Sequence, residues 1–311
     1  MQVAEEKMNH IERMQEACCE RIDMHVHTSE TSPCGKVSGK ETADLYQAAG
    51  YQTIMITDHY HKEYFESLGS LSWDEKIDRY LEGFHAAKKE GERISLQVLL
   101  GMEFRNFESD NDFLIVGVTE AFLRSNPELY RLKLQDAVRL FHKNDMLVIQ
   151  AHPVRFVIMD RKDGAIAESG TSEEMISLRR KKEKMPVISL EAWRETKRRK
   201  SEAEIQTPFV LQVCSLCCEN LLDGIEVYNG NSEWAQMPEE IDRILYKHPT
   251  YIQTSSSDFH KRHHLARGGM VLSTEVRNIE ELKAALRNGA VSALVKDGVL
   301  CSKKGEQIRK V

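Results

Sequence analysis

Residue types that bind metal ions recur in this sequence at spacings that place them on one face of a strand. His25 and His27 are one residue apart in DMHVHT, and Asp258 and His260 have the same spacing in SSDFH. Side chains two positions apart on a strand point the same way, so each pair can face one site. Imidazole and carboxylate groups are suitable ligands for Zn²⁺, Mn²⁺ or iron ions. These spacings therefore favour metal chemistry.

Further residues of these types end other apolar runs: Asp58 and His59 in ITDH, Glu103 in GMEF and His152 in QAHP. A single pair of this kind is more often a surface or core hydrogen-bonding group than a metal site, so the prediction depends on the whole set. The set has donors enough for two or three ions, and hydrolysis is the natural use of such a centre. Adjacent Asp58 and His59 cannot both face the site on a regular strand, so Asp58 is interpreted as a partner that orients a ligating histidine.

The predicted elements explain how residues far apart in the sequence would meet. Short β-branched or apolar runs alternate with helical patterns, which is typical of an α/β protein with mainly parallel strands. Ser38 with Glu41, and Ser72 with Glu75, have the capping-box spacing that begins a helix. The carboxyl ends of parallel strands converge on one crevice, and the metal-binding residue types lie at those predicted ends. We therefore expect one shared site.

The composition is that of an ordinary globular protein. The chain has 311 residues, 41% of them hydrophobic and 30% charged, which suits one large domain or one domain with an insertion. The net charge of −6 gives no general attraction to nucleic acid or anionic lipid. No apolar run approaches the roughly 20 residues of a membrane span, and the N-terminal residues predict a charged helix rather than a signal peptide. The seven cysteines, an odd number, suit a reducing compartment. We expect a cytoplasmic protein without a membrane partner.

Five motifs occur in order along the chain, namely DMHVHT, ITDH, GMEF, AHPVR and SSDFH. Together they resemble the successive motifs of the PHP (polymerase and histidinol phosphatase) superfamily. The resemblance covers about residues 21–300 and implies a distorted (β/α)7 barrel with two to three divalent Zn, Mn or Fe ions and hydrolysis of a phosphoester. The residues that it implies as ligands are His25, His27, Glu103 and Asp258 for a first ion, Glu103 and His152 for a second, and His59 and His260 for a third.

Two positions depart from the commonest pattern of the family. Where many relatives carry Asp or His as a ligand of the third ion, the loop SETSPCG offers Cys34. A thiolate would favour Zn or Fe, but Cys34 could equally be a buried residue without a metal role. For the second ion, where relatives often supply another His or Cys, Asn229 or Glu226 could substitute, or water could complete the shell. The second ion is therefore expected to be weaker or exchangeable.

The same centre suggests how a phosphate ester would be bound and attacked. A metal-bound hydroxide would attack phosphorus. The residues assigned to catalysis are Glu103, Asp258 and His260. Arg155 and Arg267 are candidate phosphate ligands because an arginine fork matches phosphate oxygens. His264 could bind phosphate or protonate the leaving oxygen, although a loop histidine more often has neither role.

The segment at about residues 160–222 is longer than a strand-helix-strand connection requires and is predicted to be an insertion. It contains the basic clusters RRKK and KRRK, and two charged helices are expected there. These helices could attract a polyanion or cover the site, or could form a solvated hairpin. Only Trp193 interleaves the charges, so nucleic acid is a possible partner but is not favoured. Residues 1–20 are expected to form a helical extension and residues 301–311 a tail.

These observations predict a cytoplasmic metal-dependent phosphoesterase that hydrolyses a small phosphomonoester or a nucleotide. A urease-like amidohydrolase is an alternative, because that class also places HxH after its first strand and Asp after its last. The amidohydrolase hypothesis does not explain why His260 lies near Asp258 in the sequence, or why the ITDH motif is present. A metal-stabilised binding or regulatory module without catalysis is a third hypothesis. A chain of that kind would be expected to lack some of the metal ligands. Since this chain keeps nearly all of them, we expect an enzyme.

Overall fold

The computed structural model describes residues 20–159, 187–189, 209–212, 214–231 and 235–310. The strands are β1 Glu20–Val26, β2 Thr53–Ile56, β3 His59–Tyr60, β4 Gln97–Phe104, β5 Phe113–Val116, β6 Leu147–Gln150, β7 Arg155–Met159, β8 Val187–Ser189, β9 Phe209–Gln212, β10 Gly224–Asn229, β11 Ala235–Gln236, β12 Ile252–Ser256, β13 Gly268–Leu272, β14 Val291–Lys296, β15 Val299–Cys301 and β16 Gln307–Lys310. The helices are α1 Gly39–Ala48, α2 Lys62–Ser67, α3 Trp73–Tyr80, α4 Glu82–Ile94, α5 Glu120–Ser125, α6 Leu134–Lys143, α7 Pro238–Lys247 and α8 Ile279–Arg287.

The main sheet has twelve strands, in the order β12-β10-β6-β5-β4-β2-β1-β13-β14-β15-β16 with β3 paired beside β4. β1, β2 and β4 are parallel, and so are β6, β10 and β12. β5 is antiparallel to both β4 and β6, and β13 to β16 continue antiparallel from β1. For these strands the prediction of a parallel arrangement is wrong. Residues 105–112, which join β4 to β5, are fewer than the dozen or so that a parallel crossover requires. The fold is mixed α/β.

The main sheet curls until the chain after β12 meets the end of β1. The Phe259 N–H donates to His25 O (3.1 Å), and the His27 N–H donates to Phe259 O (3.0 Å). β13 approaches the same region so closely that a Cβ on Gly268 would lie 2.0 Å from the carbonyl of Ser256, so only glycine fits there. The curl therefore brings the residues that follow β1 and β12 side by side.

Helices α1 and α3 begin at the caps that the sequence predicts. The Ser38 side chain accepts a hydrogen bond from the Glu41 N–H at the start of α1. Ser72 and Glu75 form the complete reciprocal capping box at the start of α3. These caps satisfy backbone N–H groups that a helix leaves without internal partners, which fixes where each helix begins.

A second, four-stranded sheet has the order β11-β7-β9-β8. β7 is antiparallel to β9 and β11, and β8 is parallel to β9. The predicted N-terminal helix and the two predicted charged helices lie outside the described residues. At the other end of the chain, β16 pairs with β15 at the edge of the main sheet. Across the part of the chain that the structure describes, no helix has the length and apolar character needed to cross a membrane.

A buried aromatic cluster supports the turn that carries ITDH. The ring of Phe65 lies 4.5 Å from that of Tyr60 and 5.0 Å from that of Trp73, measured between centroids. Tyr80 packs against Phe65 at 5.6 Å, and its hydroxyl donates to the backbone carbonyl of Asp58 (2.7 Å). The cluster therefore fixes the backbone that positions the residues after β2.

Replacing Phe65 with alanine is expected to lower the free energy of unfolding by about 3–5 kcal/mol, because it removes a fully buried ring and leaves a cavity. Urea denaturation followed by circular dichroism measures this change. The control is Phe107→Ala, since that ring is 59% exposed and its loss should change stability by less than about 0.5 kcal/mol. Equal effects of the two substitutions would contradict the packing assigned to Phe65.

Candidate metal centre

The structure brings seven of the predicted residues into one cluster, namely His25, His27, His59, Glu103, His152, Asp258 and His260. Glu103, in β4, lies at its centre. Glu103 Oε1 is 3.2 Å from His25 Nε2 and 3.1 Å from His152 Nε2. Glu103 Oε2 is 3.4 Å from His27 Nε2 and 2.6 Å from His59 Nδ1. One buried carboxylate therefore faces two pairs of imidazoles, one pair at each oxygen.

Asp258 supplies the second carboxylate of the cluster. Its Oδ1 is 3.4 Å from His25 Nε2 and 3.3 Å from His27 Nε2. The same oxygen is 3.2 Å from His260 Nδ1. Its other oxygen, Oδ2, accepts a hydrogen bond from Arg155 Nη2 (2.8 Å). Arg155 therefore holds the carboxylate with Oδ1 turned toward the histidines.

Two residues of the cluster have left-handed backbone conformations, with φ of +30° at His152 and +50° at Asp258. Non-glycine residues adopt this region uncommonly, and such residues concentrate at functional sites. The His152 N–H donates to the buried Glu226 carboxylate (2.7 Å), which holds the backbone in place.

The donor atoms of the cluster fit divalent metal ions. Four groups of three side chains each have ligand atoms within 4.8 Å of one another: His27, His59 and His260; His25, His27 and Glu103; His25, His152 and Asp258; and Glu103, Asp112 and His152. Among the described residues, the buried atoms His25 Nε2 and His27 Nε2 have no hydrogen-bond partner. Ligand atoms about 2.1 Å from one ion are roughly 3.0–3.4 Å apart. The separations of His25 and His27 Nε2 from Glu103 and Asp258 oxygens, 3.2–3.4 Å, have this spacing. A cation would therefore satisfy atoms that the chain leaves unsatisfied.

The charges of the cluster also suit cations. Burial raises the pKa of Glu103, but His59 and His25 outweigh burial and hold that pKa well below its ordinary value. The pKa of Asp258 is likewise raised by burial and held well below its ordinary value by His25 and His260. Burial lowers the pKa of His27, and the nearby histidines lower it further. Ionised carboxylates are the forms that bind metal ions. The same carboxylates outweigh burial and raise the pKa values of His25, His59 and His260, so a metal ion would displace protons from these imidazoles as it binds.

Cys34 lies beside the group formed by His27, His59 and His260. Its side chain is exposed, so the interpretation of Cys34 as a buried residue is wrong. Partial desolvation raises the pKa of the thiol, but hydrogen bonds with His260 and His59 outweigh it and lower the pKa to about 6. Cys34 therefore has the thiolate character of a zinc or iron ligand. Its role as a ligand remains a prediction.

Asp58 organises the loop around His27 instead of facing the centre directly. Its carboxylate accepts hydrogen bonds from the Thr28 N–H (2.8 Å) and the Ser32 hydroxyl (2.6 Å). The Ser32 hydroxyl in turn lies 3.3 Å from His27 Nδ1. This arrangement agrees with the interpretation of Asp58 as a group that orients a histidine.

Glu226 and Asn229 were candidate ligands of the second ion. Glu226 Oε1 lies 3.1 Å from His25 Nδ1, on the side of that ring away from Glu103. The Asn229 side-chain amide donates to Glu226 Oε2 (2.8 Å), and Asn229 Oδ1 accepts from the Asn231 N–H (3.1 Å). Both side chains are thus engaged within the chain, and their role as ligands remains a prediction.

The three predicted phosphate ligands lie in different surroundings. Arg155 contacts Asp258, as described above. Arg267 is partly exposed and pairs with Asp297, its Nε donating over 2.8 Å. His264 is fully buried, and its Nδ1 accepts from the His260 N–H (3.3 Å). Their roles in substrate binding remain predictions.

Sequence reasoning missed Asp112. This buried residue lies just before β5, and its Oδ2 is 3.7 Å from His152 Nε2. Because β5 is antiparallel to β4 and β6, its amino end lies at the edge where their carboxyl ends lie. Ligands were expected only at the carboxyl ends of strands. The short turn between β4 and β5 was the signal that could have revealed it.

The fold is PHP-like, as comparison with solved structures shows. The chain is similar to a two-domain protein from Bacteroides vulgatus that contains a predicted PHP-like metal-dependent phosphoesterase, with 16% identity over 93% of this chain and 68% of that chain and a TM-score of 0.53. The resemblance noted in the sequence is therefore confirmed at the level of the fold. No family model and no curated protein matches the sequence.

Two further structures are less similar to the chain. One is a lesion-specific endonuclease from Pyrococcus furiosus, with 12% identity over 91% of this chain and 59% of that chain and a TM-score of 0.47. The other is an amidohydrolase from Chromobacterium violaceum, with 15% identity over 77% of this chain and 87% of that chain and a TM-score of 0.37.

Proposed function

We propose that this protein is a metal-dependent phosphoesterase that hydrolyses a small phosphomonoester or a nucleotide. The proposal includes a distorted (β/α)7 barrel over residues 21–300, with residues 160–222 as an insertion. It also includes a cytoplasmic location, supported by the five cysteines of the described residues, which are all free thiols.

The observation that carries the proposal is the position of Glu103. Its carboxylate lies beside His25 and His27, the proposed ligands of the first ion, and also beside His152, a proposed ligand of the second, so this one side chain can contact both ions. His25, His27 and Asp258 would complete the first ion site, and His152 would contribute to the second. Centres with bridged divalent ions are typical of enzymes that displace groups at phosphorus.

A third group of ligands favours a phosphate ester over an amide as substrate. His59 and His260 lie on the far side of His27, with ring centroids 4.4 Å and 4.2 Å from its ring. Together with Cys34 they would hold a third ion. A tetrahedral phosphate presents several charged oxygens, whereas an amide presents one carbonyl oxygen and needs fewer cations.

The ions, when bound, would lower the pKa of a bound water from 15.7 toward about 7 and offset the charge of the phosphate. The chain's own residues would orient the ligands and the ester. Arg155 holds Asp258, and we propose that its guanidinium also contacts the phosphate group as the ester binds. Arg267 and His264 are proposed as further contacts to the ester.

The test is a substrate panel with the purified full chain before and after chelation. We expect hydrolysis of p-nitrophenyl phosphate, loss of this activity after removal of metal, and recovery when Mn²⁺ or Zn²⁺ is added back. Mass spectrometry of the active protein should find two to three equivalents of metal. Amide and lactone substrates belong in the same panel, and activity confined to them would refute the phosphoesterase assignment.

A further inference from the structure

Asp112 has the surroundings of a metal ligand but belongs to none of the sequence motifs. Its carboxylate is 3% exposed, and it shares a group of three ligand atoms with Glu103 and His152, both also buried. The Oδ2 atom lies 3.7 Å from His152 Nε2, and Glu103 Oε1 lies 3.1 Å from the same nitrogen. Two carboxylates and one imidazole therefore converge at this end of the cluster, where the sequence supplies no second histidine.

The His152 ring is oriented with Nε2 toward the two carboxylates. Its other nitrogen, Nδ1, lies 3.9 Å from Cys214 Sγ, which is within hydrogen-bonding range for sulfur. A ligating histidine commonly donates its second ring N–H to a neighbouring group, and this fixes the tautomer. With the proton on Nδ1, the Nε2 lone pair points at the space shared with Glu103 and Asp112.

Arg105 pairs with the same carboxylate from the opposite side. Arg105 Nε donates to Asp112 Oδ1 and Arg105 Nη2 donates to Asp112 Oδ2, both over 2.6 Å. A carboxylate has about four lone-pair sites, and this fork uses one on each oxygen. A lone pair on Oδ2 remains for a cation. The guanidinium charge nevertheless opposes any cation bound beside it.

We infer that Asp112 is the third protein ligand of the second ion site, with Glu103 and His152, and that Arg105 weakens this site by competing for the same carboxylate. The inference rests on the proposed function, in which the cluster binds divalent ions. It gives the second site a lower affinity than the first, because Arg105 contacts both oxygens of Asp112, including the one that faces His152. Arg155, in contrast, contacts Asp258 at Oδ2 and leaves Oδ1 to the histidines. The inference also makes Arg105 a positioning residue for Asp112.

The experiment compares Asp112→Asn and Arg105→Gln in the full chain. Both variants break the ion pair, so a purely structural role of the pair predicts that both change metal binding in the same direction or not at all. A ligand role predicts opposite directions. Mn²⁺ is titrated calorimetrically into chelator-stripped protein, with metal content measured by mass spectrometry.

For Asp112→Asn we expect the weakest Mn²⁺ equivalent to bind at least about tenfold less tightly, as is typical when a metal site is disturbed. For Arg105→Gln we expect that equivalent to bind at least about threefold more tightly, because a nearby positive charge is removed. The control is Asp78→Asn, which breaks the exposed pair between Asp78 and Arg124 and should leave Mn²⁺ binding unchanged.

Three outcomes would overturn the inference. If wild-type protein binds Mn²⁺ and Asp112→Asn binds it equally well, Asp112 is not a ligand, and the proposed function is unaffected. If Asp112→Asn does not fold, Arg105→Gln decides alone, and unchanged or weaker binding refutes the inference. If wild-type protein binds no divalent ion after reconstitution, the inference and the proposed function fail together.

Discussion

Replacing Glu103 with glutamine is expected to lower the turnover of a phosphate ester by on the order of 10³-fold, the scale seen when a key charge-stabilising group is removed. Glutamine keeps the shape of the side chain but replaces one oxygen by an amide nitrogen, which donates hydrogen bonds and cannot bind a cation. The lost oxygen faces either His25 and His152 or His27 and His59. At least one equivalent of bound metal should be lost together with activity.

The measurement is turnover of p-nitrophenyl phosphate beside metal content by mass spectrometry, for wild type and Glu103→Gln. The matched control is Glu92→Gln, an exposed glutamate in α4, which should change neither quantity. Retention of full metal content with reduced turnover would mean that Glu103 acts on the substrate instead of bridging ions. Unchanged turnover would remove the basis of the proposed function.

The sequence could predict the cluster because its residues lie at or directly after the ends of strands, although the left-handed backbones of His152 and Asp258 were not predicted. His25 lies in β1 and His27 directly follows its end. His59, Glu103 and His152 lie at or after the ends of neighbouring apolar runs. Since neighbouring strands in a sheet lie about 5 Å apart, residues at the same edge of adjacent strands meet whatever the details of packing. The motifs at the strand ends are therefore sufficient to predict which of their residues form the site.

Other features depended on tertiary contacts that no local pattern encodes. The antiparallel direction of β5 placed Asp112 at the cluster, and the short turn before β5 was the one sign of this in the sequence. The contact between Arg155 and Asp258 is another example, because β6 and β12, the strands that precede these residues, both pair with β10. Binding of phosphate by Arg155 remains a prediction. Likewise Glu226 and His25 are 201 positions apart in the sequence, and their contact depends on the fold.

Replacing Glu226 with glutamine is expected to lower the free energy of unfolding by about 2–6 kcal/mol and metal affinity by about 10- to 100-fold. Glu226 is fully buried and meets four hydrogen-bonding groups: the His25 ring, the His152 N–H, the Asn229 amide and the Ser256 hydroxyl. Burial raises the pKa of Glu226, but His25 and His152 outweigh burial and keep the pKa below its ordinary value. The side chain is thus an ionised hydrogen-bond acceptor. In the glutamine variant, the side-chain NH₂ group would face one of the groups that now donate to Glu226, and that hydrogen bond would be lost.

Thermal unfolding and Mn²⁺ titration of Glu226→Gln distinguish this role from that of a direct ligand. A group that only orients His25 weakens binding without removing an equivalent of metal, whereas loss of a ligand removes one. Glu239→Gln, in the exposed first turn of α7, is the control and should leave both measurements unchanged. A full loss of one equivalent in Glu226→Gln would restore Glu226 as the ligand of the second ion. It would then compete directly with Asp112 for that role, since His152 contacts both carboxylates, one through its backbone and one through its ring.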